Sequence, residues 1–470
     1  MKMLVGGRWV DRSDRIEVLD PIDDSVVDTV PAATRNDVNA AITSAQAGVE
    51  EIRDMPAHQR VKVLMNTARL VDARRDGFAR LIARESSKTI REARREVSRA
   101  VNTLRVSAEE ASRISGETLP FDSFPGGENR QGYYLRVPVG IILAITPFND
   151  PLNLVVHKVG PAIAGGNAVV LKPSTLTPLS ALKLAEAFIE GGLPENILSV
   201  ITGWGHAIGD DLVTDPRVRM ISFTGGTDAG RDILKKAGLK KIGMELGSNS
   251  PVIVMDDCDL EKAVERSVSG AFWAAGQNCL GVQRIYIHQS IYGPFRDAFV
   301  DRTRQVKTGD KLDEATDMGP VITRKEAKRV MDWVNEAKAQ GARVLTGGER
   351  EGALVEPTVL EETPPEARLS CDEVFGPAVS LYRVKSLEEA VEESNRVPYG
   401  LHAAIFTRDI EQAFYAVRHL EAGGVMVNDS TDYRLDSMPF GGVKESGLGR
   451  EGVRFALQEM TEPKVVCFNL

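Results

Sequence analysis

Through the first quarter of the chain, apolar residues recur at three- and four-residue intervals among Arg, Lys, Asp and Glu; Val61, Val63, Leu64, Ala68, Leu70 and Val71 are typical. That period buries one stripe of a helix and leaves the other faces in water. It predicts helices over Asn36–Val49, Ala57–Glu85 and Ile90–Ile114 after a short extended start. The third is rich in arginine on its polar side, a pattern that reads first as a solvated face.

At Pro120 the texture changes. Pro120, Pro125, Gly126 and Gly127 mark a loop, and Gln131–Val137 reads as a strand. Short apolar runs then alternate with helical stretches. Strands are predicted over Gly140–Thr146, Ala168–Leu171, Ile197–Ile201 and Arg219–Phe223, with helices from Pro178 to Glu190, around His206–Val213 and through Lys236. Such alternation implies βαβ units and a parallel sheet, here a doubly wound nucleotide-binding domain between Gly140 and Gly238. A second α/β pattern starts at Ser250. Its strands are Val252–Met255, Gln283–His288, Thr358–Leu360, Ala378–Val384 and Ala403–Thr407, and its helices are Leu260–Ala274 and Tyr292–Val306. The tail, Lys464–Phe468, reads as a terminal strand with no local partner; a strand of that kind completes a sheet in a neighbouring copy, so a homo-oligomer is expected.

Bulk properties narrow the function. A chain of 470 residues exceeds one small core and points to about three domains. Its net charge of −9 argues against nucleic acid as a partner. No run of apolar residues is long enough to span a membrane, and Gly6, Gly7, Arg8 and Trp9 interrupt the place where the apolar core of a secretion signal would lie. Cys258, Cys279, Cys371 and Cys467 show no metal-binding spacing. The expectation is a cytoplasmic enzyme or binding protein without metal, acting on a small molecule.

Three residues stand where chemistry is possible. Cys279, in Gly276-Gln277-Asn278-Cys279, sits in a loop between a predicted helix and strand. A cysteine there is either a small buried hydrophobe or, in an electropositive setting, a nucleophile. Glu245, between Met244 and Leu246 at a strand end, is either salt-bridged or a general base whose pKa burial has raised. Asn149, just after Pro147-Phe148, is either turn chemistry or an oxyanion donor. Gly203-Trp204-Gly205 nearly fits a GxGxxG fingerprint, but its third glycine, Gly209, falls one place late, so it reads as a loop. Gly225 to Gly230 follows a strand and opens a helix, where backbone N–H groups could meet a pyrophosphate.

Read together, Ile145-Thr146-Pro147-Phe148-Asn149, Lys172-Pro173-Ser174, Phe223-Thr224-Gly225, Glu245-Leu246-Gly247, Gly276-Gln277-Asn278-Cys279, Glu373-Val374-Phe375-Gly376-Pro377 and Pro439-Phe440-Gly441-Gly442 resemble the aldehyde dehydrogenase superfamily. They occur in the family's order and cover nearly the whole chain. The resemblance implies an α/β fold with a Rossmann-like cofactor domain (residues 1–120 and 139–246), an α/β catalytic domain (247–455) and a small β oligomerisation arm (121–138 and 456–470). It implies NAD or NADP as cofactor and a homodimer or homotetramer. Cys279 would attack the aldehyde, Asn149 and the Cys279 N–H would hold the oxyanion, and Glu245 would activate the hydrolytic water. Lys158 would support the site. Lys172 would bind the adenosine ribose, with Ser174 and Thr175 beside it; Glu373 and Phe375 would position the nicotinamide ribose and ring. Ile145 to Phe148, Phe223, Thr224, Gly225, Gly226 and Leu246 would line the cofactor path. Three departures matter. Ser248 replaces the family's usual second glycine after Glu245-Leu246-Gly247. Gly226 stands where the family usually has serine, and Thr175 stands where many NAD-preferring members have a glutamate that repels a 2′-phosphate.

For the substrate, His157 occupies a pocket position that is often aromatic in the family, and Arg105 and Arg434 are expected near the entrance. Three groups able to carry positive charge favour a small polar or anionic aldehyde, whether lactaldehyde-like, semialdehyde, phosphorylated or sulfonated. The rival readings are a CoA-acylating enzyme, which would not need Glu245, and a non-catalytic protein on the same fold, which would be expected to lack Cys279 or Glu245.

Overall fold

The computed structural model describes all 470 residues. Its first lobe is built on an eight-stranded sheet in the order Arg8–Val10, Met3–Val5, Leu198–Val200, Ala168–Lys172, Ile141–Ile145, Val218–Thr224, Lys241–Glu245 and Gly447–Leu448. The strands from Leu198–Val200 to Lys241–Glu245 run parallel. Ile141–Ala144 and Ala168–Lys172 are buried at every position, because helices cover both faces of a parallel sheet. Ala57–Ala73, Ile90–Ala111, Asn153–Ala164 and Leu179–Glu190 pack on one face. Arg35–Asp54, Gly205–Thr214 and Thr227–Ala237 pack on the other.

The strand order contains a reversal that places the site. From Ile141–Ile145 the chain moves outward to Ala168–Lys172 and Leu198–Val200, then returns to the opposite side for Val218–Thr224 and Lys241–Glu245. Loops leaving the carboxyl ends of Ile141–Ile145 and Val218–Thr224 therefore turn in opposite directions and open a crevice between them.

The second lobe holds a seven-stranded sheet, in the order Arg343–Thr346, Thr358–Glu361, Ala378–Val384, Val282–His288, Ser250–Val254, His402–Phe406 and Gly424–Val427. All neighbours are parallel except the first pair. This is the fold that the resemblance implies: a Rossmann-like cofactor lobe, an α/β catalytic lobe and a β arm. No helix is long and apolar enough to cross a membrane.

Several expectations are corrected. The terminal strand has a partner within its own chain: Thr461–Asn469 pairs antiparallel with Arg130–Pro138 over nine residues. Local reading missed this because the two strands lie more than 300 residues apart. Glu117–Thr118 adds a third strand, so the arm sheet begins before residue 121. The segment after Gly442 returns to the first lobe, where Gly447–Leu448 edges the large sheet and Ala456, Leu457 and Met460 enter its core. The run Ala57–Glu85 is two helices, Ala57–Ala73 and Arg75–Glu85, because Arg74 leaves helical geometry with φ −109° and ψ 19°.

Candidate active site

Two cavities meet in the crevice between the lobes. The inner one, of 740 Å³, is lined by Ile145, Thr146, Pro147, Phe148, Asn149, Lys172, Ser174, Thr175, Phe223, Thr224, Gly225, Gly226, Glu245, Leu246, Cys279, Glu373, Phe375 and Arg434, among others. All of these residues were singled out from the sequence. The outer cavity, of 290 Å³, shares Asn149, Leu154, Gln277, Cys279 and Arg434 with the inner one. Cys279 and Asn149 thus stand at the junction, open to a dinucleotide-sized chamber on one side and a small-molecule vestibule on the other.

A strained turn presents Cys279. The helix Leu260–Phe272 ends at Trp273, and Ala274, Ala275 and Gly276 then adopt positive φ of 50°, 55° and 68° in succession. Left-handed geometry costs a non-glycine residue about 1–2 kcal/mol, so the turn needs support from outside itself. The buried carboxylate of Glu92, at the start of the Ile90–Ala111 helix, accepts the Ala274 N–H at 2.8 Å. Gln277 donates to the Ala274 carbonyl at 2.9 Å and accepts the Ile322 N–H at 2.8 Å. Gly276 is required by space as well as by φ, since a Cβ there would lie 2.2 Å from the Gly376 carbonyl oxygen. Burial pushes the Cys279 thiol up to about 12, opposed by the Arg434 charge. At rest the sulfur is therefore protonated, and a base must take its proton before it can attack.

Glu245 ends the strand Lys241–Glu245 and is 4% exposed. Burial, reinforced by the charge of Glu451, raises its pKa well above the usual carboxylate range, and its Oε2 has no hydrogen-bond partner. Gly441 passes so close that a Cβ would come within 2.8 Å of Glu245 Oε1. Glu451 has the opposite fate. Burial alone would raise it, but Lys158 Nζ at 2.8 Å and Arg434 Nη2 at 3.2 Å hold it low. Lys158, which also donates to Ser222 Oγ at 3.1 Å, lines neither cavity and meets the site only through Glu451.

The inner cavity fits a dinucleotide. Lys172 is buried, and its ammonium meets only the Pro173 carbonyl, at 3.3 Å; burial lowers it to about 8. A buried cation with so few acceptors suits ribose hydroxyls or a phosphate. The helix Thr227–Ala237 begins at Gly226 with no side-chain cap, leaving its first N–H groups for a pyrophosphate. Thr175 turns its hydroxyl to the Gly203 carbonyl at 2.8 Å and brings no negative charge to this wall. Glu373 accepts the Ser248 N–H at 2.9 Å, while burial raises its pKa to about 7. Phe375, at φ 43°, meets Phe148 edge-on with ring centroids 5.7 Å apart.

Two substrate-site expectations are corrected. Arg105 lines neither cavity; it is half-exposed and pairs with Asp72 at 3.4 Å on the outside of its helix. Arg95 and Arg99, further toward the helix start, are the ones that reach the vestibule. His157 is not in the vestibule either, because the helix Asn153–Ala164 turns it inward, where Nε2 lies 3.1 Å from Asp436 Oδ1. Sequence reading also missed Glu451, Asp436, Arg95 and Arg99. No local pattern marks the first two, and the arginines were hidden in a helix face that looked merely solvated.

A crevice at a strand-order reversal, with a cysteine at its waist and an uncapped helix start on its wall, is the arrangement of a two-lobed dinucleotide-dependent oxidoreductase. The aldehyde dehydrogenase family model matches residues 9–466, and the chain belongs to that family. An aspartate-semialdehyde dehydrogenase of Pseudomonas canavaninivorans is 51% identical, covering 97% of each chain. A 3-sulfolactaldehyde dehydrogenase of Priestia megaterium is 45% identical over all of this chain and 98% of its own. Among solved structures, an NADP-dependent glyceraldehyde-3-phosphate dehydrogenase of Bacillus halodurans, complexed with NADP, superposes with a TM-score of 0.98 at 39% identity, covering 100% of this chain and 99% of its own. The protein is an NAD(P)-dependent enzyme that oxidises an aldehyde.

Proposed function

We propose that the enzyme oxidises a small anionic aldehyde to its carboxylic acid through a covalent intermediate on Cys279. The observation that carries the anionic reading is Arg434. Its guanidinium lies in the wall common to both cavities, over the Phe440 ring at 3.6 Å, and only one of its edges is taken up by Glu451. Its Nε has no partner. At the vestibule rim Arg95 stacks on Trp273 at 5.3 Å and makes no salt bridge. A carboxylate, sulfonate or phosphate two or three carbons from the aldehyde would meet these groups while its carbonyl reached Cys279. The three relatives named above, each of which carries an anionic aldehyde in its name, support the same class.

The residues divide the chemistry among them. Its proton passed to water in the crevice, Cys279 Sγ adds to the carbonyl carbon to give a thiohemiacetal, and the Asn149 amide with the Cys279 N–H stabilises the oxyanion. The dinucleotide, when held by Lys172, Glu373 and the Gly226 helix start, supplies the hydride acceptor. Loss of hydride leaves a thioester. Glu245, made a stronger base by its burial and by the charge of Glu451, draws a proton from water as that water attacks. A CoA-acylating enzyme would have no use for such a base, so hydrolysis is the better reading. The arm, with Tyr133, Val465 and Phe468 exposed on its sheet, is the surface through which two or four copies would associate.

A substrate panel tests the reading. Succinic semialdehyde should give free acid and NAD(P)H with a much higher kcat/KM than butanal. Cys279→Ala should abolish NAD(P)H formation, and Glu245→Gln should leave one turnover of it while thioester accumulates. Preference for long apolar aldehydes would overturn the substrate class, and undiminished turnover of Cys279→Ala would overturn the mechanism.

A further inference from the structure

Beside the inner cavity, and sharing Glu245 and Glu451 with it, the structure holds a third cavity of 20 Å³ lined also by His157, Arg450 and Glu459, among others. That volume is about one water, which needs two or more polar partners to stay. Two are at hand. Glu245 Oε2 and His157 Nδ1 are both buried with no hydrogen-bond partner elsewhere. The far nitrogen of His157, Nε2, lies 3.1 Å from Asp436 Oδ1, and Arg99 Nη2 lies 2.9 Å from the same oxygen.

That arrangement selects a tautomer. Burial alone would raise Asp436, but the bonds from His157 and Arg99 hold its carboxyl well below the usual range, so it is ionised and can only accept. The His157 proton therefore sits on Nε2, and Nδ1 keeps a lone pair. An aspartate orienting a histidine so that its other nitrogen is basic is a general acid–base device, recognised by its geometry.

We propose that Asp436 and His157 form a positioning pair for Glu245, with His157 Nδ1 receiving, through one water in the 20 Å³ cavity, the proton that Glu245 takes during thioester hydrolysis. The proposal rests on Glu245 being the hydrolytic base. As the water O–C bond forms, its proton passes to Glu245, the C–S bond breaks, and the electron pair leaves on Cys279 Sγ. The Glu245 proton then moves to the cavity water, which gives one of its own to Nδ1. The resulting imidazolium rests against the Asp436 carboxylate. Glu459, half-buried, is a further carboxylate on the cavity wall. Burial above all, and the Arg434 charge, oppose a proton on His157, whereas the bond to Asp436 and the charges of Glu451 and Asp436 favour it; the imidazole ends below its usual range, so it holds the relayed proton only in passing. Lys158 is engaged with Glu451 and Ser222 and leaves the role to His157. Arg450, on the same wall, holds the Gly442 and Gly449 carbonyls.

His157→Gln separates the relay from packing, because glutamine can still donate to Asp436 from near the Nε2 position but has no base at Nδ1. Asp436→Asn tests the charge instead, since Arg99 keeps the amide oxygen facing Nε2 and the tautomer stays, but the imidazolium loses the carboxylate that stabilises it. In both variants the pre-steady-state burst of NAD(P)H, read by stopped flow, should stay near one per site at the parent rate. The rate constant for thioester hydrolysis, read by acid quench, should fall about 10-fold or more. Its dependence on pH should also lose the step that His157 contributes. Parent hydrolysis in both variants, or a burst that slows in the same proportion as hydrolysis, would overturn the relay. Glu245→Gln, run alongside, keeps the two ideas apart. If it hydrolyses thioester at the parent rate, the base assignment fails; if it is slow and His157→Gln is not, the relay alone fails.

Discussion

Replacing Arg434 with glutamine tests the substrate class, and the structure sets the size of the effect. A hydrogen bond to a charged group contributes about 1.5–3 kcal/mol. At about 1.4 kcal/mol per decade of rate, Arg434→Gln should lower kcat/KM for an anionic aldehyde by about 10- to 150-fold through that contact alone. An uncharged aldehyde of equal length makes no such contact. Both substrates share a second loss, because Arg434 is the cation that opposes the rise of the Cys279 thiol; without it the thiolate is harder to form for any aldehyde. The ratio of kcat/KM for succinic semialdehyde and butanal cancels this shared loss and isolates the charge contact. Global damage is limited, since Glu451 keeps Lys158 at 2.8 Å. The destabilisation should therefore fall short of the about 3–5 kcal/mol that follows when a buried charge loses its partner outright, and a thermal melt checks it. If the two substrates lose activity equally, Arg434 serves the thiol and not the substrate, and the argument for an anionic aldehyde fails.

Two further substitutions probe the cofactor side and a third the turn that presents Cys279. Thr175→Glu places a carboxylate on the adenosine wall beside Lys172, and should raise KM for NADP well above that for NAD in initial-rate assays with each. Glu373 keeps its proton up to about 7 because burial outweighs its bond from the Ser248 N–H; protonation removes an acceptor that a ribose hydroxyl could use, so KM for the dinucleotide should fall as pH rises through that value. Glu373→Gln should have a high and pH-independent KM. Gly276→Ala drives a methyl to 2.2 Å from the Gly376 oxygen at φ +68°, so kcat and the melting temperature should both drop; a variant with normal turnover would show that this turn does not fix Cys279.

The sequence made the first lobe readable because parallel strands are continuous apolar runs and the helices between them are amphipathic. Ile141–Ile145, Ala168–Lys172 and Val218–Thr224 fall within a residue or two of their expected places. The cofactor wall was readable for a related reason: its residues sit in short motifs at strand ends. What escaped was set by distance along the chain. Thr461–Asn469 finds its partner at Arg130–Pro138, and Glu451 finds Lys158, only after folding brings together segments almost 300 or more residues apart. Arg105 was chosen over Arg95 and Arg99 because helical spacing gives a face but not the direction in which that face points. His157 was assigned to the substrate for the same reason.

Glu245 and Glu451 show how one buried site can keep two carboxylates in different states. Both are largely withdrawn from water, so desolvation alone would protonate each. Lys158 and Arg434 are both directed at Glu451, and two cations at 2.8 and 3.2 Å are enough to keep it ionised. Its negative charge then adds to the burial of Glu245 and pushes that group further up. Fixing one acid as an anion is thus part of what makes its neighbour the stronger base, the division of labour expected wherever a pair of acids must serve opposite ends of a reaction. Glu451→Gln should accordingly lower the Glu245 pKa, moving the acid limb of the thioester-hydrolysis rate profile to lower pH. An acid limb that stays where it was would show that burial alone sets Glu245.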